Sequence, residues 1–335
     1  MSIEFENILN FRDVGKTVND YLGRKVVREG VLYRSARPDD ATLGDRKKLT
    51  QELDMRTVID LRSKTEHLSQ AKKRQADLKI PSLLQSNAAL AEPMQIPGLA
   101  YREVQVTGKR LERALVCQLS WWDFIKLIVL VIFGFRTQAA KIIGEQVMQP
   151  VGLVGLTLIT LDESGPEIAE VSSPFPFPFS YSPINTSTYI YRCVYMCVYK
   201  YIPIIIHKSN IPPSPPQALR ILSTQTQNPS LVHCTQGKDR TGMIVALALL
   251  ALHIPSSAVA HDYLLSQPGL EPERAERVAE MRYIGLDSTW GDCDPDMIAR
   301  VQGHLDVRYG GVDAYLDAIG FGGGDRARLV EALGA

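Results

Sequence analysis

The residues Val232-His233-Cys234-Thr235-Gln236-Gly237-Lys238-Asp239-Arg240-Thr241-Gly242 place a thiol and a guanidinium six positions apart around a glycine. A short apolar run, Ser230 to His233, ends at Cys234, and an apolar stretch through Met243, Ile244, Val245, Leu247 and Leu250 follows. The spacing predicts a strand, a tight loop and a helix. At such a helix start the free backbone N–H groups and the macrodipole favour an anion. The same field favours a thiolate at Cys234, which is a nucleophile. Arg240 can wrap back and offer two parallel hydrogen bonds to phosphoryl oxygens, a geometry lysine cannot copy. Thr235, Gln236, Gly237 and Lys238 complete a phosphate-sized loop, and no metal is required by a thiol nucleophile.

Competing readings of the same residues are weaker. A nucleotide-binding reading of Gly237-Lys238 fails, because Asp239 follows the lysine where Ser or Thr is needed and no glycine lies five positions before Gly237. Cys117 and Cys293 have no such setting and read as small buried hydrophobes.

The elements that must hold this loop are readable around it. Val31-Leu32-Tyr33 and Thr57 to Leu61 read as strands, with Asp40 to Leu53 a helix between them. Residues 120 to 149 read as helical, broken near Gly134 and before Pro150, and Ser256 to Ala335 reads as a helical C-terminal part. The sum is an α/β domain with a central mixed sheet flanked by helices, the loop lying at the carboxyl end of the Leu231 strand.

One stretch does not belong to this pattern. From Val171 to Gln217 the chain holds nine of its twenty prolines and six of its thirteen tyrosines, and none of its 37 acidic residues, where proportional sharing would give about five. A proline-rich arm, a disordered linker and a retained intron are the readings open. The last is favoured: Val171-Ser172 can be back-translated as GTAAGT and Pro216-Gln217 as CCCCAG, a donor and an acceptor splice signal. Joining Glu170 to Ala218 also puts Ile168, Leu219 and Leu222 on one helical face, with Ser164 and Glu167 as a capping box and Pro166 in the first turn. The chain is thus expected to be a single domain over 1–335 with a poorly packed 171–217 insertion. The Asn185-Thr186-Ser187 triplet and the Cys193, Cys197 pair lie inside that insertion and carry little weight.

Composition bounds the partners. Lysine plus arginine balances aspartate plus glutamate at 37 each, so no overall field attracts nucleic acid. Five cysteines without paired spacing argue against a disulfide framework or structural zinc. A reducing compartment, the cytoplasm, is expected, since the acidic Met1 to Glu6 segment has no signal-peptide pattern. The most apolar run, Leu127 to Phe135, is about half the ~20 residues of a membrane span. It is expected to be a buried helix, with a peripheral membrane contact through Trp121, Trp122 and Phe124 as the alternative.

The loop HCTQGKDRTG resembles the signature of the protein tyrosine phosphatase superfamily, and more narrowly its bacterial and fungal tyrosine/serine phosphatase family. Asn10 to Gly15, Leu32 to Ala36, Val58 to Ser63 and Tyr309 to Leu316 are similar to that family's pattern in the same order. The resemblance implies a phosphatase fold and cysteine-dependent hydrolysis of phosphomonoesters through a cysteinyl phosphate. It implies phosphotyrosine substrates, with phosphoserine, phosphothreonine or phosphoinositides as further candidates. Asp239 is then the implied general acid and Asp60 the second candidate, Thr241 bonds the departing thiolate, and His233 orients the loop from behind. Lys238 is expected as a cation at the mouth, and Arg12, Asp13, Arg34, Arg37 and Arg62 as possible lining. A catalytically impaired phosphate-binding module is the contrasting class, should the insertion displace the helix feeding the loop.

Overall fold

The structure is a computed structural model that describes residues 4–78, 95–168, 218–224 and 228–335. Both the 171–217 segment and the Glu170 junction lie outside the described residues.

Among the described residues five strands form one mixed sheet in the order β1-β2-β5-β3-β4. They are β1 (Arg12–Asp13), β2 (Leu32–Ser35), β3 (Thr57–Asp60), β4 (Ala100–Glu103) and β5 (Ser230–His233). Only β1 runs antiparallel to its neighbour. The three inner strands are buried along their whole length, as parallel strands covered on both faces must be, whereas the edge strand β4 is largely exposed. Alternation along the inner strands feeds two cores: Leu32, Ile59 and Val232 enter the larger one, Tyr33 and Leu231 the smaller one on the opposite face.

Helices α1 (Val14–Leu22), α2 (Leu43–Lys47), α3 (Lys64–Leu78), α4 (Lys109–Val116), α5 (Trp121–Ile132), α6 (Arg136–Ile143), α7 (Gln149–Glu163), α8 (Gly165–Ile168), α9 (Ala218–Leu222), α10 (Asp239–Ala251) and α11 (Ser256–Leu264) surround this sheet. Further α-helices, Arg274–Tyr283, Met297–Tyr309, Val312–Ala318 and Gly323–Leu333, follow. In α10 every residue from Thr241 to Ala251 is buried, which explains a sequence apolar all round.

Several expected boundaries move. The helix expected over 40–53 is the short α2, capped by Thr42 and Asp45 in a reciprocal box, followed by a π-turn over Lys48–Glu52. The break expected before Pro150 falls instead at Gly152, whose φ of 72° and ψ of 169° only glycine adopts freely. Pro150 itself sits in the first turn, where its missing N–H costs nothing.

The buried helix expected over 127–135 is also corrected. In α5 only Leu127 is buried, while Trp122 and Phe133 are 72% and 71% exposed, because the helix has one stripe of partners for an apolar surface that runs all round. Among the described residues one helical run, Arg136–Glu163, has the length and composition of a membrane span. It bends at Gly152 and packs Val154 and Leu161 into the main core.

The single helix expected across the Glu170–Ala218 junction is seen as two pieces, α8 and α9, which pack against each other. Ile168, Leu219 and Leu222 are all fully buried in the same core. The Ser164 hydroxyl, expected in a capping box, makes no hydrogen bond among the described residues.

Candidate active site

Sheet register assembles the site. Ser35 of β2 pairs with His233 of β5, which pairs with Asp60 of β3, so the three strands end level and the loops after them share one crevice. Ligands bind in such crevices at the carboxyl ends of parallel strands.

The loop Cys234–Lys238 leaves β5 there, and α10 begins at Asp239, two residues earlier than the apolar pattern implied. Cys234 is 2% exposed, and the Gly237 N–H donates to its Sγ at 3.3 Å. Gly237 has a φ of 66°, and a Cβ there would stand 2.0 Å from the Ser35 carbonyl oxygen. Only glycine fits both the dihedral and the approach to β2.

The loop is held from behind. The Asn10 side-chain amide donates to the Gln236 and Gly237 carbonyls at 3.1 and 3.2 Å, and Arg34 donates to the Gly237 carbonyl at 2.7 Å. With its carbonyls turned back, the loop can aim N–H groups forward. Asp262, buried in α11, ties Arg12 and Arg34 together at 2.8 and 2.5 Å. These two cations hold the Asp262 carboxyl below the usual carboxylate range against the cost of its burial, which alone would push it up. Arg12 and Arg34 therefore brace the loop and do not line the cavity. Asp13 caps α1 through the Lys16 N–H.

Arg240 lies on the cavity side of α10, in the first turn. Its guanidinium donates two parallel hydrogen bonds to Glu66, at 2.7 and 2.5 Å, and a third to the Leu61 carbonyl at 3.2 Å. The Thr235 hydroxyl donates to the same Glu66 carboxylate at 2.6 Å. Burial would raise the Glu66 carboxyl, but Arg240 and Thr235 bring it down to about 2. Glu66 is the functional residue that sequence reasoning missed. Its signal was present, since Ser63 and Glu66 form a capping box in which the Ser63 N–H donates to the Glu66 carboxylate at 2.9 Å.

The cavity in front of the loop has a volume of about 1000 Å³ and is lined on this side by Arg37, Glu66, Cys234, Thr235, Gln236, Asp239 and Arg240. Asp239 is half-exposed on the cavity wall; one of its carboxylate oxygens is buried 3.6 Å from the Lys238 ammonium, without a hydrogen-bond partner among the described residues. The Thr241 hydroxyl is likewise buried without one.

Two expected residues stand elsewhere. Lys238 is not a cation at the mouth: its ammonium is buried and donates to the Trp290 and Asp292 carbonyls at 3.1 and 2.8 Å, pinning the turn that carries Trp290. Asp60 is fully buried behind the loop, gripped by Arg62 at 2.7 Å with His233 and His67 beside it. Burial opposes its charge, but His233, Arg62 and His67 hold its carboxyl far below the usual range, so it carries no proton to donate. Arg62 touches the cavity, yet its guanidinium is spent on Asp39 and Asp60. His233 accepts the role of a support behind the loop: its Nδ1 faces the Cys234 carbonyl at 3.2 Å, and burial pushes its pKa down.

A profile described as the tyrosine phosphatase family matches residues 3–115 and 195–335. A tyrosine-protein phosphatase of Nostoc commune is 32% identical over 127 residues, covering 35% of this chain and 43% of that protein. The triple specificity protein phosphatase PtpB of Mycobacterium tuberculosis is 35% identical over 91 residues, covering 27% of this chain and 32% of that protein. The chain thus matches less than half the length of either relative.

Proposed function

Because this chain belongs to the tyrosine phosphatase family, we propose that it hydrolyses phosphomonoesters, phosphotyrosine among them, with Cys234 as nucleophile. The observation that carries the reading is the pairing of a buried Cys234 Sγ, held under the Gly237 N–H, with an Arg240 that Glu66 locks into a two-bond fork on the same cavity floor.

In the first step the Cys234 thiolate attacks phosphorus. The S–P bond forms as the P–O bond to the alcohol breaks, and the departing alkoxide takes a proton from Asp239. In the second step water attacks the cysteinyl phosphate, gives a proton back to Asp239, and releases inorganic phosphate and the thiolate. The loop N–H groups and Arg240 stabilise charge on the equatorial oxygens in both steps. Asp239 supports the acid role by its half-exposed place on the cavity wall, which Asp60 in its buried cluster lacks. Thr241 is the hydroxyl available to the departing thiolate. A thiol nucleophile fits a reducing compartment, in keeping with cytoplasmic residence.

The impaired-module alternative required the insertion to displace the helix ahead of the loop. The packing of α8 on α9, with Ile168 and Leu219 in one core, speaks against it. The deciding experiment offers the full chain and its Cys234→Ser variant p-nitrophenyl phosphate, a phosphotyrosine peptide and phosphoinositides. Turnover by the full chain and none by Cys234→Ser is the expected result; equal turnover by both would remove the reading.

A further inference from the structure

We propose that the cavity beyond the Cys234 loop seats the leaving group of the substrate, and that this group is a long apolar alcohol, making a single-chain lipid phosphomonoester the preferred substrate class. The proposal rests on the phosphatase reading above and deepens it.

In-line displacement at phosphorus puts the leaving oxygen opposite the attacking Sγ. From Cys234 on the floor, that direction is into the cavity. The far wall there is mostly apolar: Leu111 of α4, Met148 just before α7, Leu153 and Leu156 of α7, Met243 of α10 and Ile284. On α7 the cavity residues recur as Leu153, Leu156, Thr157 and Thr160, which is one helical face. Both threonine hydroxyls are already spent on their own helix, donating to the Leu153 and Leu156 carbonyls at 3.1 and 2.8 Å. They offer a ligand no hydroxyl proton. The groups that can hold a phosphate, Arg37, Thr235 and Arg240, stand at the loop end of the cavity.

Size points the same way. Phenyl phosphate has eleven heavy atoms, and at no more than about 30 Å³ each, the share of a water molecule in the liquid, it would fill roughly a third of the cavity of about 1000 Å³. The remaining space is lined mostly by apolar side chains and is held open. Val154 and Leu161, on other faces of α7, are anchored in the main core. At its start Gln149 accepts from the Trp290 indole at 3.1 Å, and Lys238 fixes the Trp290 carbonyl, so loop and wall are tied together. Glu276 and Glu280, which are exposed on the lining, oppose a second phosphate there. The arrangement thus suits one phosphate with a tail better than a headgroup carrying several.

The test is phosphate release by the full chain from n-alkyl phosphates of four to twelve carbons, each below its micelle concentration, beside p-nitrophenyl phosphate and a phosphotyrosine peptide. The expected kcat/KM rises roughly two- to fourfold per added methylene until the cavity is full, and exceeds that for the peptide. Leu156→Trp should reach its plateau at a shorter chain, and Leu156→Gln should flatten the series. If Leu156→Gln does not fold, the unmodified chain and Leu156→Trp decide. A flat series with normal p-nitrophenyl phosphate turnover, or a peptide better than every alkyl phosphate, overturns the lipid proposal and leaves the phosphatase reading standing. No turnover of any phosphate removes both.

Discussion

Glu66 and Arg240, 174 positions apart in the chain, meet in a parallel two-bond pair at 2.5 and 2.7 Å. The pairing fixes the plane of the guanidinium before any ligand arrives, and Thr235 shares the same carboxylate. The entropy of ordering that arginine is therefore already spent in the empty protein.

Glu66→Gln separates this role from helix capping, because glutamine serves equally well in the capping box with Ser63. We expect kcat/KM for p-nitrophenyl phosphate to fall on the order of 10- to 100-fold, with vanadate inhibition weakening in parallel and the melting temperature nearly unchanged. A variant with full activity would show that Arg240 needs no anchor.

Gly237→Ala should be severe. The positive φ costs about 1 kcal/mol, and the new Cβ must also move away from the Ser35 carbonyl oxygen. A loss of about 3 kcal/mol in urea unfolding is expected, with activity lost. A midpoint shift too small to measure would mean that the loop adjusts freely.

Lys238→Met tests the corrected position of this residue. Removing its ammonium takes the donor from the buried Trp290 carbonyl and the half-buried Asp292 carbonyl and the cation from Asp239, at a cost of about 2 kcal/mol. Because the ammonium does not reach the cavity, activities on inositol phosphates and on p-nitrophenyl phosphate should fall by the same factor. A selective loss on inositol phosphates would return the lysine to the mouth.

The pH dependence of stability has a defined sign at His233. Burial holds its folded pKa below 6.5, the value of the unfolded chain. Between the two values the unfolded state binds the extra proton, so stability rises with pH there and is lost as pH falls below about 6.5. Urea titrations from pH 7.5 to 5 should show this decline, and His233→Gln should reduce it. A variant that kept the same slope would assign the proton elsewhere.

Deleting residues 171–217 should leave the domain intact, since α8 and α9 already pack together. Shortening the connection lowers the cost of closing it by about 2 to 3 kcal/mol, to be read as a higher urea midpoint. A deleted chain that cannot fold would make the segment integral to the protein. Sequencing the transcript across Val171 and Gln217 checks the intron reading directly.

The sequence announced what local spacing encodes. The strand, loop and helix around Cys234, the buried inner strands and the helical C-terminal part all follow from periods of two and 3.6 and from one glycine. What it withheld depends on long-range geometry. Asn10, Arg12 and Arg34 stood out as motif residues, but nothing local says that they grip carbonyls more than 200 positions away. The direction of the Lys238 side chain is set by the Trp290 turn, and the edge strand β4, exposed and polar, has too little alternation to be seen. Asp60 looked available at its strand's end, yet its burial arises only when Arg62 and His233 close around it.

The grip of Asn10 on Gln236 also governs the order in which the molecule comes together. The segment that cups the back of the loop is made 226 residues before the Gln236 carbonyl that it holds. Contacts of such separation form late, because the intervening chain must be ordered first. A nascent or N-terminally trimmed chain would thus carry Cys234 without a shaped receptor around it. The loop around the thiol is complete only when these two distant segments have closed on each other, and this couples the proposed activity to completion of the fold.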